Sequence, residues 1–163
     1  MVENPGYTSF AHEGALISAL VPEGWEAFEP EPQQVRFFGP TQTEYDDYRP
    51  TFSVSLGRPD GFGEEWFDEF ADDSLAQLET EYEGFVLRST ERFSLSSLVE
   101  VNAVWYEWEP QPDLAFAQLQ ALAPIDRFRM YLINAATLRP LADIHLPVFD
   151  QILRSLRMLP PRQ

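Results

Sequence analysis

The stretch "EVNAVWYEWEP", Glu100 to Pro110, has the β-branched and aromatic content of a strand, yet it carries large rings on both of its faces. In an extended backbone successive side chains point to opposite sides. Val101, Ala103 and Trp105 therefore share one face, while Asn102, Val104, Tyr106 and Trp108 share the other. What lies against each face decides the fold, and the neighbouring segments help to assign them. "TFSVSLG", 51–57, alternates cleanly, with Phe52, Val54 and Leu56 opposite Thr51, Ser53 and Ser55. The segment 114–122 sets Ala115, Ala117, Leu119 and Ala121 against Gln118 and Gln120. In 127–136 the same logic places Phe128, Met130 and Leu132 on the apolar side and Arg127, Arg129 and Tyr131 on the other. In 85–92, Arg88, Thr90 and Arg92 lie opposite Phe85 and Leu87.

The expected sheet has one greasy side that receives the helices, with Trp105 in the core. Its second side is wetter and left open, bearing Tyr106, Trp108, Gln118, Gln120, Arg129 and Tyr131 as candidate partner-binding residues. A buried Trp removes about 150–250 Å² from water, worth up to roughly 4–6 kcal/mol. An open Trp108 therefore implies a cover, such as the N-terminal segment, a second subunit or a ligand. Otherwise it merely caps the sheet edge near the "EPQPD" turn. The Arg residues on this side either receive an anionic partner or pair with nearby acids.

The remaining elements follow from periodicity. Strands are expected over 14–21, 34–39, 51–57, 85–93, 98–109, 114–123 and 127–136. Between the third and fourth, from Glu64 to Tyr82, apolar residues recur at helical spacing (Phe67, Phe70, Ala71, Leu75, Leu78, Tyr82), with acids crowding the first turns. Gly84 is placed to cap that helix. Phe149, Ile152, Leu153 and Leu156 mark a last helix, with Pro147 in its first turn. Consecutive strands with short joins favour antiparallel pairing, and segregated helices favour an α+β layer fold. The expectation is a twisted antiparallel sheet of about six to seven strands packed against a long central helix and a C-terminal helix. The chain reads as a single domain over 1–163, with a core at about 14–158 and loosely held termini.

Composition removes several function classes. With 27 acidic and 11 basic residues, the net charge of −16 disfavours nucleic acid and anionic membrane surfaces. The absence of Cys excludes disulfides and thiolate chemistry, and the absence of Lys excludes Schiff bases and a P-loop. With neither a signal-peptide pattern nor an apolar run of spanning length, a cytoplasmic location without membrane insertion is expected.

Candidate catalytic groups are sparse. His12 and His145 are the only histidines, and they read as satisfied or surface residues. Glu65, Asp68, Glu69 and Asp72 share a helix face that could hold a hard cation, but such a stripe is ordinarily the wet side of an amphipathic helix. A carboxylate–metal enzyme rests on that stripe alone. The expectation is no catalysis, no metal and no cofactor.

The pieces "VPEGW", "FFGP", "YRPTFSVSL", "GFVLRSTERFSL", "NAVWYEW", "FAQLQALAPIDRFRMYLINAA" and "PVFDQILRSL" give residues 14–158 a resemblance to the PsbP-like fold family. That group includes the extrinsic PsbP protein of photosystem II, a Ran-binding nuclear import factor, the bacterial DcrB and LpqN proteins, and Eag-type chaperones of type VI secretion. The resemblance implies an antiparallel sheet with helices packed on it and a non-catalytic role in holding other molecules. The partner is then another protein or a second copy of the chain on the open sheet face. An Eag-type chaperone for a secreted effector is the alternative, although Arg and Gln stand where an apolar groove would suit a membrane helix.

Overall fold

The computed structural model describes residues 6–41, 48–57, 66–95, 99–126 and 129–159. Glu64, Glu65, the side chain of Phe67, Arg127, Phe128 and the extreme termini lie outside these residues. The described elements run β1 (Tyr7–His12), β2 (Ile17–Pro22), β3 (Glu26–Glu31), β4 (Gln34–Phe38), β5 (Thr51–Gly57), α1 (Trp66–Glu81), β6 (Val86–Leu95), β7 (Val99–Gln111), β8 (Leu114–Pro124), β9 (Met130–Leu138), α2 (Ala142–Ser155) and β10 (Arg157–Met158). Seven strands form one antiparallel sheet in the order β3-β4-β5-β9-β8-β7-β6. A second sheet, β1-β2-β10, is also antiparallel and was not foreseen from the sequence. Its strand β1 starts at Tyr7, ahead of the expected core.

Different elements pack on the two faces of the large sheet. On the first face Phe52, Val54, Ala103, Trp105, Leu119, Ala121, Ile133 and Ala135 meet Phe149, Ile152 and Leu153 of α2 and Ile17, Ala19 and Val21 of β2. On the second face α1 seats Ala71 and Phe70 on Leu122, Met130 and Leu132. Further along, its Leu75 and Leu78, with Tyr82 just beyond its end, meet Val104, Tyr106 and Trp108. The expectation that both helices share one side is therefore corrected. β7 carries rings on both faces because each face packs against its own helix.

The parity of β9 is corrected for the same reason. Phe52 pairs with Ala135, Val54 with Ile133 and Leu56 with Tyr131, so Tyr131 belongs to the first face and Met130 and Leu132 to the second. "MYLINAATL" is apolar on both sides, so alternation alone does not show which side is which. On β6 a register shift between Leu87 and Ser89 carries Ser89 opposite Trp105 and Leu87 opposite Tyr106. Such a bulge flips the side on which later residues fall.

Gly84 takes a left-handed conformation, φ 65°, just past α1, as a C-terminal stop requires. α2 starts five residues before Pro147, which sits inside the helix and not in its first turn. Proline costs a helix the bond to the carbonyl four residues back, here that of Asp143.

Both histidines are tied into this frame. His12 accepts the Ala15 N–H at Nδ1 (3.0 Å), so its Nε2–H donates to the Glu29 carboxylate (2.5 Å). Buried His145 pairs through Nδ1 with the Thr137 hydroxyl at 2.6 Å and stacks near Phe149. Burial lowers its pKa by penalising the imidazolium. A depressed His stabilises the fold fully above its unfolded pKa of about 6.5, and that stability is lost as pH falls through the folded value. Urea denaturation between pH 7.5 and 5 should show wild type losing stability faster than His145→Gln as the pH falls. Parallel pH profiles would refute the assignment.

Candidate functional site

The second face is only partly roofed. α1 covers the side chains of β7 and one end of β8 and β9. Among the described residues no helix or strand packs over the part built by β3, β4, β5 and the other end of β8 and β9. Cross-strand pairing arranges this part in rows, because directly opposed residues share a face. One row runs Phe28, Arg36, Ser53, Asn134, Gln120 from β3 to β8. Beside it run Glu26, Phe38, Thr51, Ala136 and Gln118. Both rows end under α1, at Val104 and Tyr106 respectively.

The chemistry of the rows is uneven. Phe28 is 53% exposed, a large apolar side chain in open water on an edge strand. The guanidinium of Arg36, half-buried beside it, has no hydrogen bond or ion pair among the described residues. In a chain of net charge −16 that is unusual, since most other described Arg residues meet an acid: Arg88 with Glu107, Arg92 with Asp68 (2.7 Å) and Glu100, Arg129 with Asp126, and Arg154 with Glu91 and Asp150. At the top of the rows Arg49 lies 5.4 Å over the Phe38 ring and donates to Glu26 and the Gly39 carbonyl. Together with Ala27, Phe28 and Tyr48 these side chains line an open cleft of about 550 Å³. Tyr48 packs 6.0 Å from Phe116, and burial raises its hydroxyl pKa.

The six residues singled out from the sequence do not form one surface. Gln118 and Gln120 stand in the rows, half-buried; Gln118 accepts the Tyr106 hydroxyl at 2.7 Å. Tyr106 is only 2% exposed, under α1, with its pKa raised chiefly by burial. Trp108 is half-buried there, edge-on to Tyr82 at 4.6 Å and stacked on Phe116 at 5.8 Å. Tyr131 is 3% exposed on the opposite face and donates to the Leu16 carbonyl (2.7 Å), tying the small sheet to the large one. Arg129 precedes β9, where its backbone N–H and guanidinium bind Asp126 and close the connection from β8. Phe28, Arg36 and Asn134 were missed as site residues. Arg36 alternates with Val35 and Phe37, which signals the face but not its neighbours.

Among the described residues no three His, Asp or Glu side chains gather as a metal ion would need. Of the acidic helix stripe, Asp68 pairs with Arg92, while Glu69 and Asp72 point to solvent. Among them, too, no helix is long and apolar enough to cross a membrane.

No protein-family model matches the chain, and no curated protein matches it in sequence. Solved structures match almost end to end. LpqN, involved in cell envelope biogenesis of Mycobacterium tuberculosis, shares 14% identity over 94% of this chain and 91% of its own, with a TM-score of 0.65. The cyanobacterial PsbP of Synechocystis sp. shares 13% over 96% and 95%, with a TM-score of 0.58. The Ran-binding protein Mog1p of Saccharomyces cerevisiae shares 12% over 94% and 95%, with a TM-score of 0.57. The chain has the PsbP-like fold, and at these identities the likeness is one of fold.

Proposed function

We propose that the protein is a non-catalytic binding domain that holds a protein partner on those rows of its seven-stranded sheet that no described helix or strand covers. One observation carries this reading: exposed Phe28 and Arg36, whose guanidinium has no partner among the described residues, stand side by side at the head of a row that continues through Asn134 to Gln120. Aromatic and Arg side chains supply most of the energy at protein interfaces, with polar neighbours excluding water around them. The rows also keep Gln118 and Gln120 from the sequence reading, whereas Tyr106 and Trp108 act in the core beneath. Similarity to Mog1p, a Ran-binding protein, supports a protein partner in general. Asn, Gln, Ser and Arg in the rows suit a polar partner surface better than the apolar helix of a secreted effector.

The test is Phe28→Ser with Arg36→Glu. Both changes sit at the surface, so the thermal midpoint should move little, by about 0.5 kcal/mol equivalent or less for each. Affinity capture from the native organism's lysate should recover a partner with wild type and at least tenfold less with the double variant. Equal recovery would reject this face. Light scattering separates out the homodimer reading, in which wild type is twice the mass of the variant.

A further inference from the structure

We infer that an apolar cleft between the two sheets is a binding site for a short aliphatic carboxylate. The cleft lies on the first face, so the inference stands apart from the partner-binding rows. Its volume is about 120 Å³, and its walls are Ile17, Val99, Ala123, Ile133 and Leu156. An apolar cavity of about 150 Å³ stays dry and takes up benzene, so this space suits a tail of about four to five carbons. The wall offers a ligand little polarity, since the Tyr131 hydroxyl is already committed to the Leu16 carbonyl. The two exposed lining residues, Arg157 and Met158, form the mouth.

Arg157 supplies the sign of the head group. Its Nη1 donates to the carbonyls of Arg154 and Leu156 at the end of α2, at 3.2 and 2.8 Å. Among the described residues it has no carboxylate partner. A guanidinium has five N–H donors in a planar fork that matches a carboxylate. A tail in the cleft and an anionic head on Arg157 satisfy both features, whereas an amine would meet the wrong charge.

Methyl NMR titration of the full chain at 0.15 M salt tests this with pentanoate and 1-pentanol. Pentanoate should give saturable shifts confined to the methyls of Val99, Ala123, Ile133 and Leu156, with Kd on the order of 1–10 mM for so few atoms. Pentanol should bind at least fivefold more weakly, and Arg157→Gln should remove that difference. Met158→Trp, a change at an exposed position, should obstruct the mouth and weaken pentanoate at least fivefold without unfolding the protein. Absence of saturable shifts with pentanoate overturns the inference. So does alcohol binding as tight as the acid, or pentanoate binding unaffected by Met158→Trp.

Discussion

Trp108→Ala is expected to lower stability by about 3 kcal/mol, and Trp108→Phe to lower it by less than about 1 kcal/mol. Truncating a buried aromatic ring to Ala costs about 3–5 kcal/mol, and the half-buried setting of Trp108 puts it at the low end. Part of the loss is the edge-on contact with Tyr82 and the stacking on Phe116, each worth about 0.5–1.5 kcal/mol beyond area burial. In a domain of this length the Ala variant should melt about 6–12 °C lower. The Phe variant behaves differently because the Trp108 indole N–H is buried with no hydrogen-bond partner among the described residues. An unsatisfied buried donor costs about 1–3 kcal/mol, and Phe removes the donor while keeping most of the ring. Guanidinium denaturation of the three proteins gives the ranking. A Trp108→Ala loss below about 0.5 kcal/mol would mean that α1 does not close over this ring.

That prediction reverses the expectation drawn from the sequence, and the reversal shows where legibility ends. Strand β5 was plain because Phe52, Val54 and Leu56 face the core while Thr51 and Ser55 stand half-exposed, so polarity tracks side. In β7 and β9 both sides meet helices, so apolar residues fall on both parities and periodicity loses its meaning. Strand β3, "EAFEPE", is not among the expected strands, yet an edge strand facing water tolerates three Glu and a Pro at position 30. The small sheet was hidden because β10 is two residues long and pairs with β2 from the far end of the chain. The rows of the candidate site depend on β5 pairing with β9 across more than seventy intervening residues. No local signal encodes such a pairing. Gln118 and Gln120 were legible as polar exceptions in an alanine-rich strand. Their alignment with Arg36 and Phe28 was not.

Phe149→Ala should cost about 4 kcal/mol, the largest single loss expected here. The ring is fully buried on the first face, 6.3 Å from Phe52, in the cluster that joins α2, β2 and the sheet. Trp108 belongs to a separate cluster on the other side of the same sheet. Substitutions without shared partners add to within about 0.3–0.5 kcal/mol, whereas residues in one packed cluster couple by about 0.5–3 kcal/mol. The thermodynamic cycle therefore asks whether the two helices lie on opposite faces. Because the combined Ala losses rival a typical total stability of about 5–15 kcal/mol, the cycle is best run with Phe149→Leu, expected to cost about 1–2 kcal/mol, against Trp108→Ala. Guanidinium midpoints should give a double-variant loss equal to the sum of the singles, with coupling below about 0.5 kcal/mol. Coupling above about 1 kcal/mol would place both rings in one core and return both helices to a single side. It would also reopen the face carrying Trp108, so the same measurement bears on where a partner can dock.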